Sequence, residues 1–139
     1  MRNSLVVLGL VLAYLLSIFL VSCGGDEKEE LNPADKLAGT YTLIEIKVRN
    51  VGTTIIVRVP DISGTLYFDP DGPWSMSMVA SEIGLNQEIS GTRWSADQTT
   101  ITSGNADQTT DTNYALDGER LTFSLTMDDL QVDTTWQKL

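Results

Sequence analysis

The chain lacks histidine and contains a single cysteine, Cys23. Without an imidazole, neither a Ser-His nor a Cys-His pair can form, which excludes the common nucleophilic dyads. Without a second cysteine, an internal disulfide is excluded as well. Basic residues are also scarce, because 9 Lys and Arg stand against 19 Asp and Glu, for a formal net charge of −10. This charge repels phosphates and argues against nucleic acid as a partner.

The acidic residues offer little chemistry of their own. Asp128 and Asp129 are adjacent, and their position predicts a turn between two strands rather than an acid–base pair. Asp69, Asp71 and Gly72 are spaced as in a calcium loop, but the twelfth position is Ala80 instead of glutamate. A hairpin turn explains them better, since glycine supplies positive φ. The sequence therefore predicts no enzyme, no cofactor and no metal site.

The N-terminal segment has the parts of an export signal. Arg2 is followed by an uncharged, mostly apolar run from Leu5 to Val21. The last two residues of this run begin the motif Leu20-Val21-Ser22-Cys23. This ending resembles a bacterial lipobox, in which the cysteine is acylated, for example with palmitate, and becomes the new N-terminus. The resemblance implies a signal peptide over residues 1–22, lipidated Cys23 and a place at the bacterial cell envelope, in the outer rather than the inner membrane.

Two alternatives to the lipobox remain open at this stage. The apolar run has about 17 residues, the lower limit for a transmembrane helix. An ordinary cleaved secretory signal is the other alternative, although its usual end is an A-x-A-like site. Residues 23–36 then form an acidic, flexible linker. Its run from Asp26 to Glu30 is either a solvated spacer or an equivalent of the acidic stretch that directs some lipoproteins to the cell surface.

Residues 37–139 alternate between apolar and polar side chains at short intervals. In one segment Trp74, Met76 and Met78 share a face, and in another Leu121 and Phe123 do so. Period 2 is typical of antiparallel strands with one buried and one wet face. The fold class predicted is all-β, an antiparallel up-and-down barrel of eight or nine strands, because closure removes exposed edges. The predicted strands cover 41–49, 53–59, 64–69, 74–79, 88–95, 99–103, 112–116, 120–127 and 132–138.

Three short motifs carry a resemblance to a known family. They are Leu37-Ala38-Gly39-Thr40-Tyr41, the hairpin Leu66-x-Phe68-x-Pro70-Asp71-Gly72, and the final strand Thr134-Thr135-Trp136-Gln137-Lys138. Together they resemble small bacterial lipocalin-like domains over residues 37–139. Tyr41 stands where lipocalins have tryptophan, and the chain is shorter than a full lipocalin. The resemblance implies an antiparallel barrel with an apolar pocket at one open end and names no ligand.

The predicted barrel interior supplies the candidate binding residues. They are the large inward-facing side chains Phe68, Trp74, Met76, Met78, Phe123, Met127 and Trp136. The alternative is that they simply fill the barrel as its core. An empty apolar pocket of about 300 Å³ would forfeit about 7 kcal/mol at about 24 cal/mol per Å³. This cost favours a mostly filled barrel with a shallow pocket at one mouth.

Two functions therefore remain open from the sequence. The first is a membrane-anchored binding module for a small hydrophobic ligand. The second is a structural or protein-interaction domain displayed at the cell envelope, with a filled barrel and an envelope protein as its partner.

Overall fold

A computed structural model describes residues 30–139, which form ten β-strand segments, one α-helix and one 3₁₀ helix. The predicted signal peptide, Cys23 and most of the acidic run lie outside the described residues. The elements are α1 (Pro33–Leu37), β1 (Gly39–Asn50), β2 (Thr53–Arg58), β3 (Ser63–Phe68), β4 (Trp74–Ala80), the 3₁₀ helix (Ser81–Ile83), β5 (Leu85–Gly91), β6 (Arg93–Ala96), β7 (Thr100–Gly104), β8 (Thr109–Asp117), β9 (Arg120–Met127) and β10 (Leu130–Lys138).

The strands form one antiparallel up-and-down sheet that curls into a nearly closed barrel. Their order is β5-β4-β3-β1-β10-β9-β8-β7-β6, with β2 pairing to β1. The last strand returns to the first, with Tyr41 opposite Lys138 and Arg49 opposite Gln131. The predicted fold class is confirmed.

Two of the barrel's strands are interrupted. The sequence predicted the first interruption, between 53–59 and 64–69, and the second, within the predicted strand 88–95, explains why ten segments appear instead of eight or nine. The second half of β1 pairs with β2 and its first half with β3, so β2 and β3 run one after the other along the same edge. Similarly, β5 pairs with β4 and β6 pairs with β7, and only Thr92 separates them. The Thr92 N–H donates to the Gly104 carbonyl oxygen (3.0 Å) and so joins the two halves of the wall.

A β-bulge in β1 corrects one detail of the predicted alternation. The sequence pattern places Ile44, Ile46 and Val48 on one face. In the structure the register shifts between Leu43 and Glu45, so Tyr41 and Leu43 are buried before the bulge and Ile46 after it. An extra residue in one strand reverses the side-chain parity beyond it. Ile44 therefore falls at the shift and is only half-buried.

The most deeply buried side chains of the core come from β1, β3, β4, β9 and β10. Tyr41, Leu43, Leu66, Met78, Leu121 and Trp136 have no more than 1% of their surface exposed. The Trp136 indole N–H donates to Thr134 Oγ1 (2.9 Å), and the Thr134 hydroxyl donates to the Phe123 carbonyl oxygen (3.2 Å). Buried polar groups need such partners, because desolvation without them is costly.

The helix α1 covers one end of the barrel. The Asn32 side chain caps it by accepting from the Ala34 N–H (3.1 Å), and Pro33 occupies its first turn, where no backbone donor is needed. At its end Leu37 is fully buried, and the Leu37 carbonyl oxygen accepts from the Tyr41 hydroxyl (2.9 Å). We name this the helix end; it also holds the β3–β4 and β8–β9 turns. The opposite, far end holds the β1–β2 turn, the 3₁₀ helix and the β9–β10 turn.

Within residues 30–139 no helix has the length and apolar character needed to cross a membrane.

A substitution in β9 tests the assignment of the inward face. We expect Leu121→Ala to lower the free energy of unfolding by about 2 to 5 kcal/mol, because it leaves a cavity beside a fully buried side chain. Urea denaturation measures the change. Thr126→Ser, on the outer face of the same strand, is the control and should cost about 0.5 kcal/mol or less. An equal loss of unfolding free energy in the two variants would contradict the assignment of Leu121 to the inner face of the barrel and of Thr126 to its outer face.

Candidate functional site

A cavity of about 280 Å³ lies within the barrel and is bordered by side chains of β3, β4, β5, β7, β8 and β9. We name it the central cavity. The cavity lies next to the gap in the sheet between β5 and the β7–β8 hairpin, which face each other without strand pairing. The barrel interior is thus not completely filled. Eight-stranded barrels are just wide enough to hold one small ligand, and this volume suits one.

One wall of the central cavity is apolar. It consists of side chains from β3, β4, β5 and β9, namely Leu66, Phe68, Trp74, Met76, Ile89, Phe123 and Leu125. Phe68 lies against Trp94 with ring centroids 4.6 Å apart, and the Trp94 N–H donates to the Asp69 carbonyl oxygen (2.7 Å). Phe123 stacks on Trp136 at 6.1 Å. These contacts hold the aromatic rings of this wall in place.

The facing wall is polar and comes mainly from the β7–β8 hairpin. Its hydroxyl and amide side chains are Ser103, Asn105, Gln108, Thr110 and Thr112, with Ser90 on β5. Ile101 is the apolar member of this side. Polar cavity walls let water occupy the site in the absence of a ligand. The penalty for a dry apolar void therefore does not apply here, and a cavity of this size is sustainable.

Among residues 30–139, no charged side chain lines the central cavity. Its one unusual polar group is the Trp74 indole N–H, which is buried and has no hydrogen-bond partner among the described residues. The cavity therefore offers a large apolar surface and hydroxyl groups that both donate and accept. It does not offer a counter-ion for a buried charge.

Gly91 is required by the close approach of β4 and β7 at this wall. A Cβ atom at this position would overlap the Trp74 indole nitrogen and lie 2.6 Å from the Gly104 carbonyl oxygen. Since real side chains do not tolerate such contacts, only glycine lets the β5–β6 corner pass so near to Trp74. This corner thereby sets where the Trp74 ring lies along the cavity.

A second depression of about 510 Å³ opens at the far end of the barrel, and we name it the far-end groove. It is lined by Val48, Asn50, Thr53, Ile55, Glu82, Ile83, Gly84, Leu85, Gln87, Met127, Asp128, Leu130 and Val132. Unlike the central cavity, the far-end groove carries two acidic side chains, Glu82 and Asp128, and no basic one from the part of the chain that the structure describes.

The structure distributes the seven candidate binding residues over three places. Phe68, Trp74, Met76 and Phe123 come together around the central cavity. Met127 lines the far-end groove. Met78 and Trp136 are fully buried in the core, where the Trp136 N–H already has a partner. Four of the candidates thus share one site, and three do not reach it.

Sequence reasoning missed the polar wall. It sought binding residues only among large apolar side chains, and it began β8 at Thr112 rather than at Thr109. The sequence did contain one indication of this wall, the alternation of side chains along β8. Thr110 and Thr112 fall on the same face of β8 as Tyr114 and Leu116, which are the larger residues of that strand. Inward-facing hydroxyls look like solvent-facing ones when only the alternation of polar and apolar residues is considered.

The acidic residues singled out from the sequence serve as turn residues. The Asp69 carboxylate accepts from the Asp71 N–H (2.9 Å), and the Asp69 carbonyl oxygen accepts from the Gly72 N–H (3.2 Å). Asp128 and Asp129 have positive φ in the β9–β10 turn. Among residues 30–139, no group of three or more potential ligand side chains is placed to hold a metal ion.

The titration of Tyr41 differs most clearly from that of a free side chain. Burial, with a smaller contribution from the nearby Tyr114, raises the pKa of Tyr41 to about 12. Tyr41 also packs edge-on against Phe68, with ring centroids 6.4 Å apart, so it supports the floor of the cavity from the helix end. Burial and Asp97 likewise raise the pKa of Tyr114, whose hydroxyl donates to the Asp97 carbonyl oxygen (2.7 Å).

Comparisons with known proteins add little to this geometry. No family model matches the chain, and no curated protein matches it. Among solved structures, it is similar to the crystal structure of the wild-type fluorescent protein UnaG. The two are 12% identical with a TM-score of 0.40, and the match covers 76% of this chain and 99% of that chain. A likeness this low adds no functional argument, and the barrel architecture rests on the strand pairing itself.

The Tyr41 pKa predicts an alkaline loss of stability. The unfolded value is near 10.0, so the contribution of the neutral phenol is fully present below that pH and is lost as the pH rises through about 12. We expect the wild-type free energy of unfolding to fall across this window and Tyr41→Phe to fall less. Urea unfolding of both proteins at matched ionic strength measures the difference. Identical slopes would contradict the buried, hydrogen-bonded state of this hydroxyl.

Proposed function

We propose that the barrel is a binding module that holds one small, uncharged, mostly apolar ligand bearing a hydroxyl or carbonyl group. The observation that carries this proposal is the two-sided lining of the central cavity, apolar on β3, β4 and β9 and hydroxyl-rich on the β7–β8 hairpin. Its volume of about 280 Å³ lies near the lower end of typical ligand pockets. The site therefore suits a small molecule rather than a long acyl chain.

The absence of charge in the lining supports an uncharged ligand. An ionised group that enters a largely apolar cavity loses its hydration, and it regains that free energy only from a partner of opposite charge. The fifteen lining residues include none. A hydroxyl or carbonyl group on the ligand, in contrast, finds donors and acceptors in Ser103, Thr110 and Thr112. The proposal contains no catalytic step.

The apolar wall gives the larger part of the affinity in this proposal. Each Å² of apolar surface removed from water contributes about 25 cal/mol. The polar wall selects orientation, because it can satisfy a polar group only on the β7–β8 side. Methionine at position 76 is adaptable in shape and polarisable, which suits a site that accepts ligands of more than one outline.

A pair of fluorescent probes with the same rings tests the proposal. Uncharged N-phenylnaphthylamine should bind saturably and quench Trp74 emission by energy transfer, whereas its sulfonated derivative, anilinonaphthalene sulfonate, should bind about tenfold or more weakly. Thr112→Phe, which fills the cavity, should lower the affinity for the uncharged probe by a similar factor. Asn113→Phe places the same ring on the outer face of β8 and should leave binding unchanged. Equal affinities for both variants would reject the central cavity as the site.

The proposal also includes a membrane tether at Cys23, in which acyl chains hold the barrel at a bacterial envelope, in the outer membrane. The sequence Leu20-Val21-Ser22-Cys23 and the acidic run that follows support it. One acyl chain binds a membrane only marginally, and two or more give firm anchoring. The tether would keep the binding module close to ligands that partition into the membrane.

Labelling of the expressed chain with radioactive palmitate tests the tether. We expect the wild type to incorporate the label and Cys23→Ala to lose it, because the acylated thiol is lost. Ser17→Ala, inside the apolar run but before the lipobox, is the control and should keep the label. If the wild type takes up no label, or Cys23→Ala takes up as much as the wild type, acylation at Cys23 is rejected and a transmembrane helix or a cleaved secretory signal replaces it.

A further inference from the structure

The outer edge of β2 is unpaired among residues 30–139. β2 pairs with β1 alone, and β4 continues the sheet only beside β3. Hydrogen-bonded and non-hydrogen-bonded pairs alternate along an antiparallel ladder. Counted from the hairpin-closing pair of Asn50 and Thr53, the backbone groups of Ile55 face β1, and those of Thr54 and Ile56 face away from it. The N–H and C=O groups of Thr54 and Ile56 thus form an open hydrogen-bonding edge.

Apolar side chains accompany this open edge. Ile55 and Ile56 are 46% and 45% exposed, and Val59 just beyond the strand is 55% exposed. Natural proteins usually protect a strand edge with charges, a covering segment or a proline. Pro60 and Asp61 follow only after β2 has ended, and Arg58 at its end is paired with Glu45 (2.7 Å). The edge from Thr53 to Val57 carries no charge of its own.

The far-end groove lies directly beside this edge. Thr53 and Ile55 from the inner face of β2 line it on one side, and the 3₁₀ helix with the start of β5 lines it on the other. Its apolar surface comes from Val48, Ile55, Ile83, Leu85, Met127, Leu130 and Val132. A strand added to β2 would therefore place every second side chain into the groove.

The groove is also acidic. Glu82 and Asp128 contribute to its lining, and no basic residue does so. On the outer face of the sheet, Arg49 is paired with Asp133 and Arg58 with Glu45, and Lys47 lies opposite Ile56. The local field therefore favours a positively charged occupant.

We propose that the far-end groove and the free edge of β2 bind an extended, basic polypeptide segment by strand addition, with apolar residues of that segment directed into the groove. The open backbone edge selects a polypeptide, because a small amphiphile leaves the N–H and C=O groups of Thr54 and Ile56 unused. Charge selects against a second copy of this chain, since each carries a formal net charge of −10. This site is separate from the central cavity and does not depend on the function proposed for it.

A synthetic peptide in which valine alternates with lysine and threonine tests the proposal on the full chain in detergent. We expect saturable one-to-one binding by fluorescence anisotropy, and slower amide hydrogen exchange at Thr54 and Ile56 in the complex. The same peptide with glutamate in place of lysine should bind about tenfold or more weakly at low salt. N-methylation of the peptide residues that face β2 should have an effect of similar size.

Two substitutions at one position provide the matched control. Ile56→Pro removes the outward N–H of the edge and should weaken peptide binding about tenfold or more, whereas Ile56→Thr retains this N–H and should bind almost as the wild type does. The N-methylated peptides test the same contact without any change to the protein, should Ile56→Pro not fold.

Three results would overturn the proposal. The first is the absence of peptide binding. The second is binding that tolerates N-methylation and leaves exchange at Thr54 and Ile56 unchanged, which would assign the groove to apolar ligands alone. The third is slow exchange at Thr54 and Ile56 before any peptide is added. Sedimentation would then show whether a second copy, in a dimer, or another part of the chain, in a monomer, covers the edge.

Discussion

The return of β10 to β1 is the constraint on which the rest of the structure depends. β1 is the longest strand, and it pairs with β10 along one side and with both β2 and β3 along the other. Without the β1–β10 ladder the sheet would expose two long edges and one apolar face. With it, Trp136 and Tyr41 lie inside, and the helix α1 can cover the end of the barrel through the Leu37 carbonyl oxygen. The central cavity exists because this closure holds opposite walls apart.

The alternation of side chains predicted most of the fold. Trp74, Met76 and Met78 occupy the inward face of β4, and Leu121 and Phe123 that of β9, because period 2 follows from strand geometry alone. The same rule failed in β1, where the bulge at Leu43–Glu45 shifts the parity. It also gave no sign that β5 and β6, predicted as the single strand 88–95, would separate at Thr92. Both features depend on how neighbouring strands fit together, and a single strand's pattern does not contain that information.

The candidate site was predictable only in part, for a different reason. Phe68, Trp74, Met76 and Phe123 could be found because large apolar residues on an inward face have few other places to go. Ser103, Thr110 and Thr112 could not, because small hydroxyl residues occur on either face of a sheet. The two classes together give the cavity its character. A wholly apolar lining at this volume would be costly to leave empty, whereas hydroxyl groups let water occupy the space until a ligand displaces it.

The corner at Thr92 has a consequence for the rates of binding. At Thr92 the chain continues from β5 into β6. No ladder of hydrogen bonds pairs β5 with the β7–β8 hairpin among the described residues. Apart from the bond between the Thr92 N–H and the Gly104 carbonyl oxygen at the corner, a molecule passing through this seam meets only side chains of the cavity lining, such as Gln108, and no backbone ladder among the described residues. Exposed side chains reorient within nanoseconds, far faster than a strand separates from a sheet. Exchange of a bound molecule with solvent can therefore be rapid while the barrel as a whole stays folded.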